Sequence, residues 1–209
     1  MLEMDSSDSW RRAFRVELRA QAIGLAWRGW PVLPGTYPAG AQWAGREGLE
    51  DAGPTPVHQD WQERIGTKPE QVATWWTGRP YSVLLATGVT LDAIEVPGHL
   101  GRGAARVLRA VGLPVPIIAT PDDRWTFLVR AGQELARPLA EQDDVVLHQT
   151  GSWVPLPPTP AQHGVVHWRV RPEVCGWQMP EPSLVQDALL DAITEETTPA
   201  RTGRLVAAD

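Results

Sequence analysis

Two apolar runs separated by a Thr-Gly break occupy the middle of the chain. Val83 to Ala86 leads into Thr87-Gly88, and Leu91 to Val96 leads into Pro97-Gly98. Runs of this length bounded by turn residues predict two buried strands and a crossover. Alternation along the second run puts Asp92, Ile94 and Val96 on one face and Leu91, Ala93, Glu95 and Pro97 on the other. Asp92 and Glu95 therefore cannot serve one pocket, and this strand alone cannot build a two-carboxylate metal site. Strand ends hold polar groups rigidly beside a loop that admits a ligand, which makes Asp92, Glu95 and His99 the polar candidates here.

The same patterning organises the flanks. Trp10, Phe14, Leu18, Ala22 and Leu25 recur at helical spacing and predict a helix from an N-cap at Ser9 through Trp27, ended by Gly29, with Met1 to Ser9 frayed. Its outer side carries Arg11, Arg12, Arg15 and Arg19, read as a solvated face, with a phosphate-tracking stripe as the rival. Trp30 to Leu33 is a short strand, and Pro34 to Gly66 is an irregular segment read as a lid or an excursion. Thr67-Lys-Pro-Glu70 has capping-box spacing and opens a helix to Trp76. A helix is expected from about Arg102 to Val111, and the N–H groups at Gly101 together with Arg102 are candidates to hold an anion.

Pro114 to Thr120 and Trp125 to Val129 read as strands joined by a turn at Pro121-Asp-Asp-Arg124, and Val145 to Leu147, Trp153 to Pro155 and Val165 to Val170 as further strands. Ser183-Leu-Val-Gln186 is a second capping box, starting a helix with Leu184, Ala188, Leu189, Ala192 and Ile193 inward. This order predicts an α+β fold with one main sheet. The expected division is a main unit at 1–182, a C-terminal helix at 183–197 and a disordered tail at 198–209.

Composition adjusts the picture in three places. The 209 residues carry a formal net charge of -6, which lowers the prior for unspecific attraction to nucleic acid while leaving room for a local basic groove. One cysteine, Cys175, cannot form an internal disulfide, no apolar run approaches the ~20 residues that span a bilayer, and the N-terminus shows no signal-peptide pattern, so a cytoplasmic location is expected. The 11 Trp outnumber 2 Phe and 2 Tyr, and filling of core and rim positions is a simpler account than base stacking.

Motif searches exclude more than they include. No Walker loop, GxGxxG, HExxH or CxxC pair is present. His163, His167 and Cys175 lack a fourth zinc ligand. No nucleophile-elbow sequence supports Ser/His/Asp hydrolysis.

Taken together, Leu25-Ala-Trp-Arg-Gly-Trp-Pro-Val-Leu-Pro34, the Trp75-Trp76 pair followed by Arg79-Pro80, Ala86-Thr87-Gly88, Ile118-Ala-Thr-Pro121 and Val145 to Thr159 resemble the N-terminal bifunctional DNA primase/polymerase family of the archaeo-eukaryotic primase group. The resemblance runs from about Ala20 to Trp168 and implies a primase-like mixed sheet with flanking helices in a single domain. It also implies an Asp-x-Asp pair for divalent metals, which falls on Glu95 and Pro97, and a third acidic position, which falls on Val146 with His148 in place of an arginine. The family's phosphate-contacting histidine falls on Trp125, and its Pro-Pro-Ser is nearly matched by Pro157-Pro158-Thr159.

Neither Pro97 nor Val146 can coordinate Mg²⁺ through its side chain. Glu95 is then expected as a lone ligand or as an ion-pair partner of Arg102 or Arg124. The leading expectation is a degenerate domain with no cofactor, binding a nucleotide or single-stranded nucleic acid through Gly101, Arg102, Arg124 and His148, alongside a separate replication or regulatory protein. The first alternative is an active primase/polymerase using Mg or Mn on a displaced set, Asp92, Glu95 and Asp122 or Asp123. The second is an interaction scaffold with Trp43, Trp61 and Trp153 clustered outside.

Overall fold

The computed structural model describes residues 3–40, 42–48, 53–65 and 68–197, with the backbone alone for 3–12 and 197. In chain order the elements are α1 (Glu3–Ala26), β1 (Val32–Gly35), β2 (Tyr37–Ala39), β3 (Gln42–Ala44), α2 (Pro69–Trp75), β4 (Ser82–Ala86), β5 (Leu91–Pro97), α3 (Gly98–Ala110) and β6 (Ile117–Ala119). Then follow β7 (Arg124–Arg130), α4 (Arg137–Ala140), β8 (Val146–His148), β9 (Trp153–Leu156), β10 (Pro160–Ala161), β11 (Gly164–Val165), β12 (His167–Val170) and α5 (Pro182–Thr197).

The α+β class holds, but the strands divide differently from expectation. The two central apolar runs do not share a sheet: β4 lies between β1 and β9, whereas β5 belongs to a five-stranded sheet of order β12-β6-β7-β5-β8. Every ladder is antiparallel where a mixed sheet was expected. Within the larger sheet β5 and β6 run the same way with β7 between them, so α3 makes the crossover of a split β-α-β unit. The break at Thr87-Gly88 is what sends the chain from one sheet to the other.

Period-2 alternation assigns the two faces of the larger sheet to separate cores. Leu91, Ala93, Ile118 and Leu128 pack with Leu18, Ala22 and Leu25 of α1 and with Val83, Leu85, Val154 and Leu156 of the smaller sheet. Ile94, Val96, Trp125, Phe127 and Val129 pack instead beneath α3 and α5, against Leu100, Ala104, Leu108, Val185 and Leu189. Each fully buried aliphatic side chain contributes roughly 1.5–3 kcal/mol over its exposed state.

Several local expectations are corrected. The Pro34–Gly66 segment is not a lid: β2 and β3 form a hairpin within it, and Trp61, 6% exposed, packs on Leu33, Leu84 and Ala86 over the outer face of the smaller sheet. Helix α1 begins before Ser9. Helix α2 is capped at Lys68 without a side-chain bond, while Thr67 lies outside the described residues. Helix α5 starts at Pro182, so Ser183 sits in its first turn, Val185 turns inward and Leu184 is 39% exposed. The expected tail at 198–209 lies outside the described residues.

Candidate functional site

The centre of the site is one carboxylate at the end of β5. Glu95 stands opposite Thr126 of β7 on one side and Val146 of β8 on the other, and Pro97 stands opposite Arg124. Directly paired residues of antiparallel strands project to the same face. Register thus gathers Glu95, Pro97, Arg124 and Val146 on the face turned toward α1 and the smaller sheet.

Both oxygens of Glu95 are engaged by cationic or polar side chains of the chain itself. Arg124 donates from Nε to Oε1 at 2.8 Å and from Nη2 to the Asp144 carbonyl at 2.8 Å. His148 Nε2 lies 3.2 Å from Oε2, and its Nδ1 lies 2.9 Å from Ser152 Oγ. An ionised carboxylate can only accept, so Nε2 carries the proton toward Glu95, and in the neutral ring Nδ1 accepts from the Ser152 hydroxyl. Burial pushes the Glu95 pKa up, but the bonds from His148 and Arg124 outweigh it and hold the carboxyl below its ordinary range.

The turn that delivers His148 is locked by the Thr-Gly break. Thr87 Oγ1 donates to the Gln149 carbonyl at 2.7 Å, and its N–H donates to the Ser152 carbonyl at 3.1 Å. Gly88, at φ 93°, lies against this turn so closely that a Cβ there would fall 2.2 Å from the Thr150 nitrogen. Only glycine tolerates both that approach and that dihedral. Below it, the buried Thr159 hydroxyl accepts from Val83 N–H at 2.8 Å and donates to the Val83 carbonyl at 2.9 Å, tying the Pro-Pro-Thr segment to β4.

The remaining candidates fall elsewhere. Trp125, 6% exposed, stands opposite Val96 and Ala119 on the helix-covered face, so Arg124, not the indole, faces Glu95. Helix α3 starts at Gly98, which places Gly101 a turn inside, where a Cβ would fall 2.6 Å from that of Trp125. Gly101 therefore packs a helix onto a ring and presents no helix-terminal N–H. Arg102 pairs with Asp123 at 2.9 Å, and its hydrogen bonds hold the Asp123 carboxyl below the usual range.

Asp92, 1% exposed, points to the opposite face from Glu95 and accepts from Gly132 N–H at 2.9 Å. The His163, His167 and Cys175 set forms no metal site, and burial beside Glu173 pushes the Cys175 thiol up to about 11. Nor do the three indoles form an outer cluster: Trp61 and Trp153 meet edge to face at 5.6 Å, and Trp153 Nε1 donates to the Pro54 carbonyl. Ser152 is the member of the network that sequence reasoning missed; its one signal is a position four residues after His148 in a Gln-Thr-Gly-Ser turn.

The model of the N-terminal domain of bifunctional DNA primase/polymerases matches residues 22–182. This chain belongs to that family. No curated protein matches the sequence. The prim-pol family resemblance assigns three acidic positions to Glu95, Pro97 and Val146, and the strand register does place those three side by side. As a donor set for a divalent cation they do not fit, because one residue of three has side-chain oxygens and both of these are already bonded. Among the described residues no three His, Cys, Asp or Glu side chains gather around a common point that could hold a metal ion. No helix among them is long and apolar enough to cross a membrane.

Proposed function

We propose that this prim-pol domain binds a nucleotide or single-stranded nucleic acid without metal-assisted nucleotidyl transfer, and serves as a binding or regulatory module for a separate replication protein. The observation that carries the reading is the closed network at Glu95. Positive charge beside that carboxylate is supplied by Arg124 and a hydrogen bond by His148. Neither Pro97 nor Val146 offers a side-chain oxygen to a cation competing with Arg124 and His148. Two-metal chemistry needs paired ions that stabilise attacking and leaving oxygens together, and this residue set has no second carboxylate for the task.

The active alternative would draw Asp92, Glu95 and Asp122 or Asp123 around Mg or Mn. Against it stand the strand alternation that turns Asp92 from Glu95 and the Arg102 guanidinium that occupies Asp123. Primer extension on a primed single strand with Mg²⁺ or Mn²⁺ tests the choice. The expected result is no incorporation; incorporation that disappears in Glu95→Gln would overturn the proposal. Binding is tested separately by titrating labelled nucleotides and single strands at low salt, where dissociation constants weaker than about 1 mM, or ~4 kcal/mol, would remove the binding half of the reading.

A further inference from the structure

The hydrogen bonds at Glu95 continue past His148 and end on a hydroxyl. His148 Nε2 lies 3.2 Å from Glu95 Oε2, and its Nδ1 lies 2.9 Å from Ser152 Oγ. With the ring proton on Nε2 facing the carboxylate, Nδ1 offers its lone pair to the Ser152 hydroxyl. Hydroxyl, imidazole and carboxylate then stand in the order of a serine nucleophile, its base and the acid that orients the base. Such a triad is recognised by geometry and roles on unrelated folds, so the missing nucleophile-elbow sequence does not exclude it. The ring is turned over relative to the commonest arrangement, and either of its nitrogens can take a proton.

Ser152 is held in place and only partly buried. Its N–H donates to the Gln149 carbonyl at 3.0 Å, and its carbonyl accepts from Thr87 N–H at 3.1 Å. Val154 and Leu156 of β9 point into the core between the two sheets. Alternation puts Ser152, two residues before Val154, on that same side, where Glu95 and His148 meet it. Ala86 N–H donates to the Pro31 carbonyl at 2.9 Å, away from β9. Trp153, paired with Ala86, therefore turns its own N–H away from β4 at the free edge of the sheet. The N–H of the residue after a nucleophile is a recurring source of an oxyanion donor.

We infer that Ser152 is a nucleophile toward uncharged carboxylic esters, with His148 as its general base and Glu95 as the residue that positions the ring. Arg124 is spent on Glu95 and the Asp144 carbonyl, which disfavours a phosphoryl group with its several charged oxygens. A carbonyl develops charge on one oxygen, and the Trp153 N–H is placed to receive it. Ser152 Oγ bonds to the acyl carbon as its proton passes to His148 Nδ1. The alcohol leaves with that proton, and the acyl group stays on Oγ. Water then attacks the same carbon through the same base, releasing the carboxylic acid and restoring the hydroxyl. The inference goes beyond the nucleotide-binding reading and does not rest on it.

The test is a fluorophosphonate probe and 4-nitrophenyl butyrate, each applied to the full chain with a chelator present and no nucleotide. The expected result is an adduct on Ser152, located by mass spectrometry of its peptide, that forms on the folded protein and not on the heat-denatured one. Ester hydrolysis should fall to the buffer rate in Ser152→Ala and at least about 100-fold in His148→Gln. Glu95→Gln can donate to Nε2 and favour the tautomer whose Nδ1 no longer accepts. It should lower kcat at least about tenfold with KM unchanged, a split that a merely structural role would not produce. Melting midpoints check that each variant is folded, and the position of the wild-type adduct tests the inference without any variant.

No adduct on Ser152, or one that forms equally on denatured protein, would overturn the inference. So would ester hydrolysis that survives Ser152→Ala. Hydrolysis lost in Ser152→Ala but kept in His148→Gln would overturn the relay. Each of these results leaves the nucleotide-binding reading standing, since primer extension and nucleotide titration measure that reading separately.

Discussion

The two faces of the β5–β7 pair are built from the same fourteen backbone positions and held by different physics. On the α3 side, Val96, Trp125 and Phe127 interlock with Gly101 and Leu100, and the contacts are apolar apart from the Arg169 guanidinium, which lies 5.0 Å from the centroid of the Trp125 ring. On the opposite side, Glu95, Arg124 and His148 are held by hydrogen bonds and charge, each less than a quarter exposed. Apolar packing has no preferred partner beyond shape, so it survives exchange of one hydrophobe for another. A half-buried carboxylate cannot be exchanged so freely, because removing one partner strands the rest. Both faces therefore carry a packed core, and the second adds a charged cluster whose members cannot be exchanged one at a time.

The largest effect that would break this contrast is expected on the packed face. Trp125→Ala empties the volume between β7 and α3 and should cost about 3–5 kcal/mol, read as a fall in the urea midpoint. A loss under about 1 kcal/mol would mean that α3 is not seated on the indole. Trp125→His, which restores the residue type that the family resemblance assigns there, should destabilise without altering the Glu95 network, since position 125 faces the other way. A smaller effect is expected on the polar face: Arg124→Met preserves the aliphatic stem but leaves Glu95 with His148 alone, at a cost of about 1–3 kcal/mol near neutral pH. Adding Glu95→Gln to it should recover part of the loss, because no uncompensated charge remains.

How much of this was legible in advance follows the same division. The packed face was readable: apolar positions at period 2 in 91–97 and 125–129 recur in the two strands, and helical spacing found α5 closely, α3 from about a turn late, and α1 without its stretch before Ser9. Partners across strands were not. That β4 and β5 belong to different sheets depends on a turn direction at Thr87-Gly88 that no propensity encodes, and a one-residue offset in register moves a side chain to the other face. The assignment of a phosphate-contacting position to Trp125 shows the consequence. Its neighbour Arg124 is the side chain that reaches Glu95; the sequence named Arg102 and Arg124 as the two possible partners, and the Pro97–Arg124 pairing decides between them. His148 was named from the family resemblance, but its bond to Ser152 and its approach to Glu95 come from the Thr87-locked turn.

The smallest expected effect is also the one that separates the two faces most cleanly, because packing has no pH dependence of its own and the polar network does. The folded Glu95 pKa lies below the ordinary 4.5. The folded state therefore holds its proton less tightly than the unfolded chain does, and the network's contribution to stability is fully present above that ordinary value. As pH falls through the lowered pKa the carboxyl protonates, the bond from Arg124 loses its ionic partner, and the contribution disappears. The groups facing Glu95 are Arg124 and His148, and the advantage of wild type over Glu95→Gln should be present above about pH 4.5 and shrink below it. Phe127→Ala, on the packed face, should instead lower stability by a similar amount at every pH, since the lost contacts carry no proton. Urea unfolding of the three proteins from about pH 5 downward measures both slopes, and a wild-type advantage over Glu95→Gln that grew as pH fell below about 4.5 would show that Glu95 is destabilised, not held, by its surroundings.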